Sequence, residues 1–267
     1  MRTRKTGRED IPALKALWEE AFGDEQQDID LFFETVYPNA TGCAEDGGEL
    51  VSMLFALPQT IVKEEKQLKC AYLYAVATKK VRQGEGLCSA LLAYAEKELR
   101  KRYVEALLLS PASERLADFY AERGFTRQTG AKKTLLDCAQ PTGQATEIGV
   151  QDYAGLRETA LWDIPHVRYD RAQLEYAMAG GKFYCLMAGY AMGCAAVKDG
   201  KDGVQAVVCE LLPGTEGLGA LAEKRGAGKY EVVSSLPGED GETWCMLKWL
   251  GRAYPELEPV YMGFSLE

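Results

Sequence analysis

The chain has 267 residues, 47% of them hydrophobic and 27% charged, with a formal net charge of −9. Such a length suits two domains of ordinary soluble composition, each able to build a core without covalent staples. The acidity argues against a nucleic-acid partner, and no apolar run reaches the roughly 20 residues that would span a bilayer.

The charge is uneven: residues 1–140 carry 20 Lys/Arg against 22 Asp/Glu, and residues 141–267 carry 11 against 18. A cationic small molecule or a protein amine is therefore easier to accommodate than an anion. The eight cysteines, Cys43, Cys70, Cys88, Cys138, Cys185, Cys194, Cys209 and Cys245, form no C-x-x-C pair, and His166 is the only histidine. That leaves no Cys/His zinc set, and no metal is expected. A mid-sized chain with a full core does not need disulfides, so the thiols read as reduced. The opening MRTRKTGRED has basic residues with no apolar stretch behind them, unlike a secretory signal, and a cytoplasmic protein is expected.

In chain order, Ile11 to Phe22 has apolar residues at helical spacing, with Pro12 suited to the first turn. Asp28 to Val36 predicts a second short helix. Leu50–Leu57 and Gln59–Val62 read as a strand pair joined near Pro58, and Ala71–Thr78 as a strong strand. Leu87 to Lys101 is a helix with Leu87, Leu91, Ala95 and Leu99 on one stripe. Its basic end, Lys101 and Arg102, opposes the dipole. A buried strand Val104–Leu109, a helix Glu114–Glu122 and a strand Thr134–Asp137 complete the first unit. Ala139–Glu147 is polar with Pro and Gly, and marks a linker between a domain over 1–138 and another over 148–267.

The second half opens with helices at Asp152–Ala160 and Arg171–Met178. Strands follow at Phe183–Ala188, Ala191–Val197 and Val204–Leu211, then a helix at Leu218–Lys224, a strand at Tyr230–Ser234 and two closing strands. This order repeats that of the first half, and both halves read as mixed α/β, with helices and a mixed sheet.

The chemistry concentrates between Tyr74 and Phe125. A strand runs into the turn Gln83-Gly84-Glu85-Gly86-Leu87-Cys88-Ser89, which opens a helix. Glycines let the backbone adopt positive φ and approach a ligand closely. The first amides of a helix lack partners within it, and with the dipole they suit a pyrophosphate. Lys79, Lys80 and Arg82 add local positive charge. A dinucleotide fingerprint needs a third glycine where Ser89 stands, and the GK[ST] of a P-loop is absent. Taken alone, the turn could equally be a plain strand-to-helix connection.

This stretch resembles the GNAT family of acyl-CoA-dependent N-acetyltransferases. Gln83, Gly86 and Cys88 match the family's Q/R-x-x-G-x-G/A, and Phe119, Tyr120, Gly124 and Phe125 match its downstream aromatic–Tyr and Gly-Phe pairs. The resemblance covers most of residues 1–137. Cys88 replaces the usual Gly or Ala, and Thr78-Lys79-Lys80 replaces a common strand-end proline.

The resemblance implies acetyl-CoA as co-substrate and an amine as acceptor, small molecule or protein. It implies that the backbone of Val76, Ala77 and Thr78 pairs with the pantetheine arm. The turn Gln83–Ser89, including Gly84, Glu85, Gly86, Leu87 and Cys88, would hold the pyrophosphate. Tyr120 would protonate the departing thiolate; otherwise it is a core tyrosine of an amphipathic helix. No general base stands out. Asp24, Glu25, Asp28, Asp30 and Glu34 fall where the family lines its acceptor site, and each also reads as part of a solvated helix face. His166 lies in the other half, and Cys88 has no histidine beside it to make it a nucleophile. The second half echoes the turn as Gly214–Ala222 but lacks the Gln, the basic flank and the F-Y…G-F pair. It resembles the degenerate second copy of two-domain GNAT proteins. The rival reading is a non-catalytic module that binds CoA or a partner, and the oligomeric state stays open.

Overall fold

The computed structural model describes residues 2–37, 41–47, 49–138 and 141–266. The chain divides into two compact units. The first comprises Met1–Thr60, Leu68–Leu109 and Lys248–Ala253; the second comprises Ile61–Gln67, Ser110–Leu247 and Tyr254–Glu267.

The first unit is built from β1 (Thr3–Lys5), α1 (Ile11–Phe22), α2 (Gln26–Thr35), β2 (Thr41–Asp46), β3 (Leu50–Lys63), β4 (Lys66–Thr78), α3 (Leu87–Arg100) and β5 (Ala106–Leu109), except that the last three residues of β3 and the first two of β4 belong to the second unit. Helix α1 takes the expected bounds because Leu14, Leu17 and Trp18 form its buried stripe and Gly23, at φ 75°, ends it in the left-handed conformation. Trp18 packs against Phe32, Phe55 and Tyr74, with ring centroids 4.8, 5.9 and 5.5 Å away. One indole thus ties α1 and α2 to strands β3 and β4, while its Nε1 donates to Asp24 Oδ2 at 2.7 Å. The strands lie in the order β1-β2-β3-β4-β5. β4 and β5 run parallel, with α3 as their crossover. β5 is apolar and buried throughout, as a strand covered on both faces requires.

Pro58 does not separate two strands. β3 runs through it, because the proline sits at an exposed position and its fixed φ suits extended backbone. β1 and β2, which the sequence did not signal, pair with each other, and β2 pairs with β3.

The second unit contains α4 (Glu114–Ala121), β6 (Thr126–Cys138), β7 (Gln144–Ile148), α5 (Val150–Ala160), β8 (His166–Arg168), α6 (Arg171–Ala177), β9 (Lys182–Ala188), β10 (Ala191–Asp199), β11 (Ala206–Leu212), α7 (Leu218–Arg225), β12 (Gly228–Ser234) and β13 (Glu242–Trp249), whose last two residues belong to the first unit. Its strands lie in the order β13-β6-β12-β11-β10-β9-β7. β11 and β12 are parallel, joined through α7, and the other recorded pairs are antiparallel. Tyr184, Leu186, Ala195, Val208, Leu221 and Tyr230 centre its core.

Two expectations change here. Residues 144–147 of the expected linker form most of β7, paired with β9; Ala139 and Gln140 lie outside the described residues. Of two expected closing strands, β13 forms one. Beyond it, among the described residues, Tyr261 alone bridges, to His166, because Pro255 and Pro259 interrupt the segment. Both units mix helices with a sheet, in agreement with the α/β reading.

Buried inside the second unit, Arg157 donates through Nε to Glu210 Oε1 at 3.1 Å and Oε2 at 2.9 Å, and through Nη1 to the Val167 carbonyl at 2.8 Å. The hydroxyls of Tyr153 and Tyr261 also donate to Glu210. A buried carboxylate persists only when its charge and lone pairs are met in this way.

Candidate active site

Within the first unit, β4 leads into the site. Its parallel pairing with β5 covers Cys70, Ala71 and Tyr72 and stops at Tyr72–Leu108. Three residues on, Ala75 adopts φ +47°, a left-handed conformation that is rare for a residue with a Cβ. The strand then continues to Thr78 past the last residue paired with β5.

The partners of this stretch show which way its backbone faces. Ser52 Oγ, buried on β3, donates to the Ala77 carbonyl at 2.9 Å, and the Lys79 amide donates to the Val51 carbonyl at 2.9 Å. In extended backbone the N–H and C=O of one residue point the same way and alternate along the strand. Ala77 and Lys79 therefore face β3, and Val76 and Thr78 face the edge that β5 leaves. Gln83 Nε2 reaches the Thr78 carbonyl at 3.4 Å and draws the turn back onto the strand. Thr78 Oγ1 lies 3.0 Å from Ser52 Oγ, whose own proton is committed to Ala77, so the threonine donates.

The turn itself has the expected form. Gly84 and Gly86 hold φ of +86° and +78°, and Gly86 is the N-cap of α3. A Cβ added to either would meet no protein atom within 4 Å. Glycine is required there by backbone conformation, and the space in front of it is open. Leu87 is buried as the first core residue of α3, whereas Cys88 and Ser89 are half-buried in its first turn.

The basic flank is less free than the sequence suggests. Lys79 pairs with Glu49, and Arg82 Nε donates to both carboxylate oxygens of Glu85, at 2.8 and 2.9 Å. That hydrogen bond holds the Glu85 carboxyl below its usual range. The Lys80 amide donates to Glu20 Oε1 at 2.9 Å, and among the described residues the Lys80 ammonium has no ion pair.

The acidic candidates have local duties. Asp24 accepts from Trp18, Asp30 from Lys15 and Gln26, and Glu25 from Gln27; Asp28 and Glu34 are exposed. Hydrogen bonds from Lys15 and Gln26 hold the Asp30 carboxyl below its usual range.

Tyr120 belongs to the second unit. Helix α4 starts at Ser113, whose Oγ caps the Leu116 amide at 3.3 Å, and it buries Ala117 and Tyr120. The Tyr120 ring meets Phe119 and Phe125 at 5.3 and 5.7 Å. His166, also in the second unit, is buried between the Ile164 carbonyl and Glu158. Among the described residues no group of three His, Cys, Asp or Glu side chains is placed to hold a metal, and no helix is long and apolar enough to cross a membrane.

The second-half turn differs where it matters. A Cβ on Gly217 would come within 2.7 Å of Leu186 Cδ1, and one on Gly219 within 2.5 Å of Thr142 Oγ1. Protein fills the space that stays open before Gly84 and Gly86. Sequence reasoning missed Ser52 and Ala75. The first is a lone polar residue in an apolar run, and an alanine carries no sign of left-handed backbone.

Residues 2–127 match the family model described as an acetyltransferase (GNAT) domain. No curated protein matches the chain by sequence. Similar solved structures include a probable N-acyltransferase from Enterococcus faecalis, with a TM-score of 0.75 at 17% identity, covering 93% of this chain and 72% of that one. GCN5-related N-acetyltransferases from Anabaena variabilis (0.71, 16%, 94% and 73%) and Kribbella flavida (0.71, 16%, 93% and 72%) are also similar. At these identities the likeness establishes the fold. Residues 2–127 thus match a GNAT acetyltransferase domain, and over nearly all of its length the chain shares the fold of these solved structures.

Proposed function

We propose that the chain transfers an acetyl group from acetyl-CoA to an amine by direct attack in a ternary complex. The observation that carries this is the open Gly84–Gly86 turn at the head of α3, beside a β4 edge that β5 does not cover. The amides of Gly84, Glu85, Gly86, Leu87, Cys88 and Ser89 would hold the pyrophosphate, where a helix terminus favours negative charge. The pantetheine arm would add to β4 as an extended strand, along Val76, Ala77 and Thr78. The facing deduced above favours Val76 and Thr78 for its hydrogen bonds. An amide there would polarise the thioester carbonyl and stabilise its tetrahedral oxyanion.

Tyr120 is the proposed general acid. Its support is the F-Y-x-x-x-G-F spacing from Phe119 to Phe125 and the phenol's chemistry: with an ordinary pKa of about 10 it stays protonated at neutral pH. Residues 148–267 are proposed as a degenerate GNAT-like domain without chemistry of its own.

Tyr120→Phe tests the mechanism. It removes one hydroxyl and keeps the ring against Phe119 and Phe125. Loss of a positioned general acid lowers kcat by about 10²–10⁴-fold, with CoA affinity nearly intact. If kcat holds within about threefold while the melting temperature falls, as for one lost hydrogen bond of about 1 kcal/mol, Tyr120 is structural and the thiolate is protonated otherwise.

A further inference from the structure

The β9–β10 hairpin sets Cys185 directly opposite Cys194. Ala188 and Ala191 close its two-residue loop, Gly189-Tyr190. The closing pair of such a hairpin is hydrogen-bonded, and the pairs alternate from there. Met187–Met192 is then non-hydrogen-bonded, Leu186–Gly193 hydrogen-bonded and Cys185–Cys194 non-hydrogen-bonded. At a non-hydrogen-bonded pair the two Cα atoms lie about 4.5 Å apart with both side chains on one face. That falls inside the roughly 4.4–6.8 Å that a disulfide spans.

Both thiols are reduced in this structure, and the acetyl-transfer site in the first unit uses neither. Their access differs. Cys185 is half-buried and Cys194 fully buried, so an oxidant from solution meets Cys185 first. Burial, and then the charge of Glu210, push the Cys194 thiol above its ordinary range, which suits it to the second step rather than the first.

We propose that Cys185 and Cys194 form a reversible dithiol–disulfide site that exchanges with small disulfides. The Cys185 thiolate attacks one sulfur of the small disulfide and expels one thiolate, leaving a mixed disulfide on Cys185. The Cys194 sulfur, its proton lost to solvent, attacks the Cys185 sulfur and expels the second small thiolate. Two protein thiols are oxidised, one small disulfide is reduced to two thiols, and the two protons end on those thiols.

The test uses the full chain at graded ratios of oxidised to reduced glutathione, quenched by alkylation in denaturant, which opens the buried Cys194, and digested without reduction. The expected result is a peptide pair joined from Cys185 to Cys194, with both thiols lost from alkylation together and both regained on adding dithiothreitol. In Cys194→Ala, glutathione is expected to stay on Cys185. The proposal is overturned if the wild type stops at glutathionylated Cys185, if Cys185 joins Cys209 instead, or if both thiols stay alkylatable at every ratio. The wild-type measurement decides alone should the variant fail to fold.

Discussion

The hydroxyl of Ser52 donates to the Ala77 carbonyl inside the first unit, where both residues are buried. Ser52→Ala removes this donor from a site that water does not reach. The expected loss is about 0.5–1.5 kcal/mol of unfolding free energy, the net worth of one buried hydrogen bond. Urea denaturation of the variant measures it, and a loss below a few tenths would mean that the carbonyl finds another partner. Ser52 was illegible because a serine inside VSMLFAL looks like an interruption of an apolar strand. Ala75 was illegible for a related reason: nothing about an alanine announces a φ of +47°. Gly86 was legible because glycine is the residue that takes a left-handed φ without penalty. Arg157 and Glu210 stand 53 positions apart, so no local pattern announces their pairing.

At the scale of elements, α1 and α3 were readable because a helix writes its buried face at i, i+3 and i+4, as Leu14, Leu17 and Trp18 do. β1 is three residues long, and β2, TGCAED, has no alternation to read. The turn at the head of α3 supports a direct prediction. Gly86→Asn keeps a residue that tolerates left-handed backbone, and its side chain enters space that no protein atom fills. The melting temperature is expected to stay near that of the wild type while calorimetric CoA affinity falls at least tenfold; unchanged affinity would remove the pyrophosphate from this turn. The contact between α5 and β8 supports another. Burial disfavours the Glu158 charge, yet hydrogen bonds from His166 and Arg168 prevail and hold its carboxyl below the ordinary 4.5. A carboxyl lowered on folding contributes stability that is complete above its unfolded pKa and lost as pH falls through the folded one. The melting-temperature gap between wild type and Glu158→Gln should therefore narrow as pH falls below about 4.5. A gap that does not change with pH would show that the carboxylate charge is immaterial there.

For the whole molecule, the GNAT-like fold was readable from one segment because Gln83–Ser89 and Phe119–Phe125 are local motifs. The emptiness before one glycine turn and the filling of the other by Leu186 and Thr142 arise from residues distant in sequence. That contrast predicts one equivalent of CoA bound per chain at saturation, and calorimetry returning two would contradict it. The net charge of −9 predicts a cationic acceptor whose turnover falls as salt screens the field. Anionic amines as the best acceptors, or rates indifferent to ionic strength, would count against that. The most direct measurement is release of free CoA thiol from acetyl-CoA across a broad panel of amines, with Gly86→Asn as control. The account predicts amine-dependent release by the wild type, matched by an equal amount of N-acetylated product and lost in the variant. Acetyl-CoA that binds, yet is consumed no faster with any amine than in buffer, would contradict it and identify the chain as a non-catalytic binding module.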